Sequence, residues 1–350
     1  MKQNDKDSLF ILSATELLKL QQLINDSMQI VICCHKSPDG DALGASLAWA
    51  DYLLSLGKQP VVVLPDAAPD FLHWLPGFNQ VLRYDKKPEE VKKAFDESDL
   101  VCCLDFNSTS RTDELQEIID ACDSPRLVID HHLNPDIQSV MTVSFPDMSS
   151  TCELLFRLIY QLGGYETMSK QSATSIYCGM MTDTGSFTYN SSSPEIFYVI
   201  SLLLAKGVNK DNVYNRVYHN YSTSCLRLRS YVIYHKMRVV EELHASYFTI
   251  TKQEMRRFRF KKGDAEGLVN EPLKIKGLKL SISLREDTEK TNLVLVSLRS
   301  SCGFRCERMA REFFHGGGHE NAAGGRLYCS MDEAEQIALK AILHYKDELV

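Results

Sequence analysis

Three short apolar runs in the first half of the chain each end abruptly in histidine or aspartate. Residues 30–34 lead into His35, residues 100–104 into Asp105, and residues 126–129 into Asp130-His131-His132. A run of four to eight aliphatic and β-branched residues favours a buried strand, because a helix needs more length. The pattern therefore predicts parallel strands that carry polar groups at their carboxyl ends.

Helical patterns alternate with these strands. Capping-box patterns begin at Ser13 and Ser150, a long helical pattern starts at Asp41, and further helices are expected at 89–95, at 112–121, after Ser169 and after Ser193. Residues 61–64 form another apolar run. This alternation predicts an α/β fold with a parallel sheet and helices on both of its faces.

The periodicity changes in the last third of the chain. Residues 247–250, 278–284 and 292–299 alternate in the manner of antiparallel or mixed strands, and residues 306–314 have a helical pattern. Residues 209–242 lack glycine and proline, which favours one long helix. We therefore expect an N-terminal domain over 1–215, a connector helix over 216–242, and a smaller α/β domain with a mixed sheet over 243–350.

Composition narrows the function classes. A chain of 350 residues with a net charge of −7 suits two domains, and its acidity argues against a protein that coats long nucleic acids. The eleven cysteines lack paired CxxC spacing, so we interpret them as reduced core residues. No apolar run is long enough to span a membrane, and the N-terminus lacks the apolar segment of a signal peptide, which together predict a cytoplasmic protein.

A candidate metal site follows from the strand ends, because the carboxyl ends of parallel strands border the same crevice. The candidate ligands are His35, Asp39, Asp41, Asp105, His131 and Asp183. Imidazole and carboxylate ligands without thiolate favour manganese over zinc, and magnesium, iron and cobalt are also compatible. Taken singly, each residue has a structural explanation as a helix cap, a core histidine or a turn residue.

Two further segments invite a binding interpretation. The glycines at 316–318, flanked by His315 and His319, predict backbone amides that approach an anion, or alternatively a helix C-cap and hinge. Arg299 ends an alternating strand and extends the anion-binding interpretation. Residues 252–262 combine basic and aromatic side chains, as in a nucleic-acid face or in a solvated helix face.

The ordered motifs resemble those of the DHH phosphoesterase family. They are residues 35–41 (HKSPDGD), 105–107 (DFN), 130–132 (DHH) and 183–187 (DTGSF). Residues 316–325 (GGGHENAAGG) resemble the first type of DHH-associated C-terminal domain. The resemblance covers nearly the whole chain and is greatest to the stand-alone nano-RNase and phosphoadenosine-phosphate phosphatase branch. Asn107 is a departure, since many relatives have serine there.

This resemblance implies a centre of two divalent metal ions, with manganese favoured and magnesium or cobalt as alternatives. One ion would be held by His35, Asp39 and Asp105, and the other by Asp41, Asp105, His131 and Asp183, with Asp105 bridging both. His132 and Asp105 would be the catalytic residues. The substrate would be bound by Asn107, Arg111, Arg299, Gly316, Gly317, Gly318 and His319.

The implied activity is hydrolysis of short oligoribonucleotides to nucleoside 5′-monophosphates, with removal of the 3′-phosphate of adenosine 3′,5′-bisphosphate as a second activity. A phosphodiesterase for cyclic or linear dinucleotides is the nearest alternative. A nucleotide-binding sensor without catalysis is the alternative from another class. The expected partners are therefore short RNA or small nucleotides, with no membrane and no evident protein partner, and a homodimer is left open.

Overall fold

The computed structural model describes residues 8–301 and 303–350, and the chain divides into two compact units with the boundary between Asn220 and Tyr221. The N-terminal residues behind the prediction of cellular location lie outside the described part. Within the described part, no helix is both long and apolar enough to cross a membrane.

The first unit is built on a parallel sheet. Its strands are β1 (Gln29–Cys33), β2 (Gln59–Leu64), β3 (Leu82–Arg83), β4 (Leu100–Leu104), β5 (Arg126–Asp130) and β6 (Met141–Ser144). They pair in parallel in the order β3-β2-β1-β4-β5-β6, which confirms the predicted sheet. Strand order reverses between β1 and β4, and ligands of such sheets bind at the carboxyl ends beside this reversal.

Helices cover both faces of this sheet. They are α1 (Ala14–Asp26), α2 (Gly40–Ser55), α3 (Pro88–Asp96), α4 (Gln116–Ala121), α5 (Thr151–Gln161), α6 (Lys170–Asp183), α7 (Pro194–Ala205) and α8 (Lys210–Tyr218). Alternate residues of each strand enter different cores. Ile32 and Cys102 pack with residues of α2, α5 and α6, whereas Val31 and Cys103 pack with residues of α3 and α4. The cysteines in the apolar runs are thus free and buried, as expected.

Local differences from the sequence prediction follow from turn geometry. The helix expected over 112–121 is a 3-10 segment, Thr109–Leu115, followed by the short α4, because Asp113 has a left-handed backbone with φ 53°. The Ser13 capping box forms in full. At the second predicted box, Ser150 accepts from the Glu153 amide, but the Glu153 carboxylate accepts from Ser149 instead.

The second unit is a mixed sheet with helices. Its strands are β7 (Arg238–Val240), β8 (Ala245–Ile250), β9 (Leu280–Glu286), β10 (Val294–Ser300), β11 (Gly317–His319) and β12 (Ala322–Leu327). Its helices are α9 (Thr223–Tyr231), α10 (Lys252–Arg257), α11 (Cys306–Phe313), α12 (Met331–His344) and α13 (Lys346–Leu349). The order is β11-β12-β10-β9-β8-β7, where β8 and β9 are parallel and the other neighbours antiparallel, so the predicted mixed sheet is confirmed.

The stretch 209–242 is not one connector helix. Helix α8 ends at Tyr218, and α9 begins after Ser222, whose hydroxyl accepts a hydrogen bond from the Cys225 amide. A π-helical turn at Val232–Lys236 then leads into β7. A serine cap therefore starts a new helix where the absence of glycine and proline had suggested continuity.

Two apolar clusters cover opposite faces of the second sheet. Ala245 and Tyr247 of β8 pack in a cluster with residues of α11 and α12, whereas Phe248 and Ile250 pack in a cluster with residues of α9 and α10. This alternation follows from the two-residue period of a strand. The helix pair α9 and α10 therefore covers one face, and α11 with α12 covers the other.

Candidate active site

The loop after β1 and the loop after β4 bring His35, Asp39 and Asp105 together beside the strand-order reversal. The Nε2 atom of His35 lies 3.5 Å from Oδ2 of Asp105 and 3.9 Å from Oδ2 of Asp39. Asp39 is also the N-cap of α2, since its Oδ1 accepts from the amides of Asp41 and Ala42. Asp39 can therefore cap α2 through Oδ1 and also act as a metal ligand through Oδ2, because its two oxygens face different partners.

A second group forms around His131. Its Nε2 atom lies 3.8 Å from Oδ2 of Asp41, 3.6 Å from Oδ1 of Asp105 and 3.5 Å from Oδ2 of Asp183. Asp41 comes from the first turn of α2, where its carboxylate accepts from the amides of Thr151 and Cys152. Asp183 is the last residue of α6, so this candidate ligand comes from a helix end and not from a strand end.

Asp105 lies between the two groups. Its Oδ1 is the oxygen near His131 and its Oδ2 the oxygen near His35. Thr151 donates a hydrogen bond of 2.9 Å to Oδ1. Asp105 is buried, and its backbone φ of 63° is uncommon for a residue other than glycine. Strained backbone of this kind is frequent at functional sites, and here it turns one carboxylate toward both histidines.

The donor set fits divalent metal ions. The ligand atoms of His35, Asp39 and Asp105 lie within 4.8 Å of one another, and so do those of Asp41, His131 and Asp183. Donors bound to one ion at about 2.1 Å are separated by about 3.0–3.4 Å, close to the separations seen here. His35 and His131 each direct Nδ1 to a backbone carbonyl, at 2.9 Å and 3.2 Å, which is the usual arrangement of a metal-binding histidine.

The electrostatics of these groups favour a cation. Burial and the neighbouring Asp105 and Asp183 carboxylates raise the pKa of Asp41 well above its usual value. Burial alone would lower the pKa of His131, but the carboxylates of Asp183, Asp105 and Asp41 raise it to about 9. The cluster thus stabilises positive charge strongly, and a divalent ion would satisfy the same carboxylates.

His132 has a different environment from His131. Its Nδ1 donates a hydrogen bond of 2.7 Å to Oδ1 of Asp130, a fully buried carboxylate. Burial is the main cause of the lowered pKa of His132, and the Arg111 charge acts in the same direction, against the Asp130 hydrogen bond. Neutral His132 therefore carries its proton on Nδ1, which makes Nε2 a proton acceptor.

Arg111 and Asn107 lie in the same unit as these groups. The Arg111 charge opposes protonation of both histidines: it acts against the Asp105 and Asp39 carboxylates that raise the pKa of His35, and it adds to the burial that lowers the pKa of His132. Among the described residues, the Arg111 side chain has no hydrogen-bond or ion-pair partner, so its N–H groups can pair with an anion. Asn107 instead donates through its side-chain amide to the Leu133 carbonyl at 2.6 Å.

In the second unit, strand register places Arg299 and His319 on one face. Arg299 pairs with Ala322, which in turn pairs with His319 across β10, β12 and β11. Directly paired residues project to the same side of a sheet. Only a methyl side chain lies between the two, so a cationic and an imidazole group share one surface.

The glycine segment takes part in a strand pair, and the anion-binding role expected for Gly316, Gly317 and Gly318 stays a prediction. Gly317 and Gly318 belong to β11, which pairs with β12. A Cβ atom at Gly316 would lie 1.8 Å from the Gly324 carbonyl oxygen, and Gly318 has φ 146° with a Cβ position 2.4 Å from the Ala322 oxygen. These two glycines permit the close approach of two strands, whereas a Cβ at Gly317 would have no neighbour within 4 Å.

Sequence reasoning missed two residues of the site. Asp130 directly precedes His131, and its place at the end of an apolar run was the available signal. Thr151 donates hydrogen bonds to Asp41 and Asp105. Apart from its place in a capping pattern, nothing in the sequence indicated this role, because the contacts join residues far apart in the sequence.

Known families, curated proteins and solved structures resemble this chain over most of its length. The model of the DHH family, N-terminal domain, matches residues 29–180, and the DHHA1 domain model matches residues 243–346. A solved structure of an exopolyphosphatase-related protein from Bacteroides fragilis is 45% identical, with a TM-score of 0.90 and coverage of 97% of this chain and 98% of that chain.

Two curated relatives carry the same name. The bifunctional oligoribonuclease and PAP phosphatase NrnA of Thermus thermophilus is 29% identical, covering 89% of this chain and 89% of that protein. Its namesake from Bacillus subtilis is 25% identical, covering 92% and 96%. By these matches the chain belongs to the DHH family and joins its N-terminal domain to a DHHA1 domain.

Proposed function

We propose that this protein is a metal-dependent phosphoesterase that hydrolyses short oligoribonucleotides to nucleoside 5′-monophosphates and removes the 3′-phosphate of adenosine 3′,5′-bisphosphate. The observation that carries the proposal is the position of Asp105, whose two oxygens face the histidines of two separate ligand groups. The names of the curated relatives support the substrate class.

The proposed metal ligands are His35, Asp39 and Asp105 for one ion, and Asp41, Asp105, His131 and Asp183 for the other. Manganese is the preferred ion, because mixed imidazole and carboxylate donors suit it. Two such ions would activate water at neutral pH and stabilise charge on both the attacking and the leaving oxygen.

The side chains around the ligands complete the chemistry. Asp130 holds the His132 ring with the proton on Nδ1, so Nε2 is the atom that exchanges a proton with the phosphate oxygens. Arg111 supplies a guanidinium that pairs with phosphate charge. In the DHHA1 domain, Arg299 and His319 would bind the remaining part of the nucleotide from their shared sheet face.

A product-resolved assay tests this function. The purified chain is loaded with manganese, magnesium, cobalt or zinc and given linear di- and pentaribonucleotides, adenosine 3′,5′-bisphosphate and cyclic dinucleotides. We expect 5′-monophosphates from the linear RNA and adenosine 5′-monophosphate from the bisphosphate, with the highest rate in manganese. An Asp105→Asn variant serves as the matched inactive control.

The other outcomes identify the alternatives. A preference for cyclic dinucleotides over linear RNA would make the protein a signalling phosphodiesterase. Binding of nucleotides without hydrolysis in any metal would make it a sensor and would contradict the catalytic proposal.

A further inference from the structure

The second unit, Tyr221–Val350, has a cation-aromatic surface formed by Tyr231, Tyr234, His235, Arg256, Arg257 and Arg259. Residues 252–262 contain six lysines and arginines against a single acidic residue, Glu254. The Glu254 carboxylate is already engaged, because it caps α10 at Thr251 and lies 2.9 Å from the Lys236 ammonium. The surface therefore has an excess of positive charge within an acidic chain.

Ring contacts connect four of these residues, and Arg256 and Arg259 lie close to Arg257 in the sequence. The Arg257 guanidinium lies 5.4 Å from the centroid of the Tyr231 ring, which is 5.1 Å from the His235 ring. The Tyr234 ring meets His235 edge-on at 4.7 Å and is 83% exposed. Tyr234 and His235 belong to the π-helical turn, a feature often found at functional sites. The exposed Tyr234 ring is thus connected through His235 and Tyr231 to the Arg257 guanidinium.

The backbone gives no reason for an arginine at position 259. Arg259 has φ 51° and follows α10, with the Phe260 amide bonded to the Met255 carbonyl and the Arg259 amide to the Arg256 carbonyl. This is a Schellman C-cap, in which glycine occupies the left-handed position most easily. Because the backbone conformation favours glycine at position 259, we attribute the arginine there to a role of its side chain.

The cations of this surface are available for a ligand. Among the described residues, the side chains of Arg256 and Arg259 have neither a hydrogen-bond nor an ion-pair partner. Both are exposed. Exposed cations without a carboxylate partner can pair with an anion.

The surface lies on the same side of the second sheet as Arg299 and His319. In the register across β8, β9 and β10, Ser246 pairs with Ser281, and Ser281 pairs with Arg299. Ser246 and Phe248 share one face of β8, and Phe248 packs in the cluster that contains residues of α9 and α10. The cation-aromatic surface and the proposed nucleotide-binding residues therefore flank one face of this domain.

We propose that this surface binds single-stranded RNA, with a base stacked on Tyr234 and the arginines paired with backbone phosphates. The inference rests on the proposed function and extends it to the nucleotides beyond the reacting one. An exposed aromatic ring beside cations matches the combination that holds single strands without sequence preference. An acidic peptide without aromatic residues would satisfy the cations but would offer no ring to stack on Tyr234.

The test measures binding directly. The metal-loaded full chain is titrated into fluorescein-labelled oligoadenylate with 2′-O-methyl phosphorothioate linkages, which resist hydrolysis, at several salt concentrations. Tyr234→Ala should weaken binding by roughly 5- to 150-fold, the loss of one stacking platform, while Tyr234→Phe should retain the affinity. Arg259→Gly should weaken binding and reduce the slope of log K against log salt by about 0.7, the loss of one phosphate contact.

The variants separate binding from folding. Arg259→Gly places the residue that suits a left-handed backbone, so lost binding there does not reflect a damaged fold. Lys340→Ala removes an exposed cation from α12, which covers the opposite face of the sheet, and should bind RNA as the unchanged protein does.

The outcomes also separate this inference from the proposed function. Oligoadenylate binding that depends on Tyr234 and Arg259, in a protein that hydrolyses no RNA, would support the surface and contradict the catalytic proposal. Normal hydrolysis of RNA together with unchanged binding by both variants would overturn the surface and leave the catalytic proposal intact. Displacement of the oligoadenylate by polyglutamate with no effect of Tyr234→Ala would assign the surface to acidic peptides and overturn the RNA inference.

Discussion

Replacement of Asp130 by asparagine tests the role of the buried carboxylate behind His132. Oδ1 of Asp130 accepts from Nδ1 of His132 at 2.7 Å, and Oδ2 has no hydrogen-bond partner among the described residues. The asparagine amide has two possible orientations. Either its nitrogen faces His132 and moves the ring proton to Nε2, or its nitrogen occupies the place of Oδ2 as a buried donor without a partner.

The two orientations give different magnitudes. A ring with the proton on Nε2 no longer accepts there, so we expect kcat to fall by about 100- to 10,000-fold, the usual contribution of a general acid or base. That loss corresponds to roughly 3 to 5 kcal/mol of barrier. A buried unpaired amide would instead cost about 1–3 kcal/mol of folding free energy. The metal content should be unchanged in both cases.

The assay combines steady-state kinetics on a dinucleotide, thermal unfolding and metal analysis. Asp99→Asn is the matched control, because Asp99 accepts from two backbone amides at the start of β1 and lies outside the site. The control should lose stability without losing kcat. An unchanged kcat in Asp130→Asn would refute the positioning role. Loss of a metal ion would instead show that Asp130 and His132 are metal ligands. The ligand atoms of Asp105, Asp130 and His132 also lie within 4.8 Å of one another.

Four further predictions concern the metal bridge and the DHHA1 domain. Asp105→Ala should abolish hydrolysis and metal binding while the circular dichroism spectrum is retained, and near-normal turnover in manganese would contradict a shared ligand. Arg299→Ala should reduce kcat/KM for nucleotides strongly and for a small chromogenic phosphodiester much less, and equal losses on both would show that Arg299 acts on the reacting phosphate or on folding. Gly316→Ala should lower the unfolding temperature, because its Cβ would collide with the Gly324 carbonyl oxygen. Gly317→Ala has space for the methyl group and should keep the unfolding temperature, so an increase in its KM would place the substrate against β11.

The apolar runs were sufficient to predict the parallel sheet and the edge at which the site forms. Fully buried strands are continuous apolar segments, and their carboxyl ends are marked by the first polar side chain, as at His35 and Asp105. The four motifs were also sufficient to indicate the DHH family. Short elements escaped this reasoning, because β3 and β6 contain too few residues for a period to be visible.

The predicted helix over 209–242 shows that a stretch without glycine and proline need not be one continuous helix. No glycine or proline interrupts the stretch, yet Ser222 caps a new helix, because a serine hydroxyl competes for the backbone amides that a continuing helix would use. The glycine segment shows a second limit. Its composition suits an anion-binding loop as well as a tight strand pair, and only the structure shows that Gly317 and Gly318 pair with β12.

The sequence by itself therefore determined which residue types are available for chemistry and which ends of the strands carry them. Only the tertiary structure decided how they combine. Asp183 reaches His131 from the end of α6, and the Asp105 carboxylate turns one oxygen to each histidine through a left-handed backbone. The physical reason is that strand and helix periods are local, whereas the distance between two side chains far apart in sequence depends on how whole elements pack.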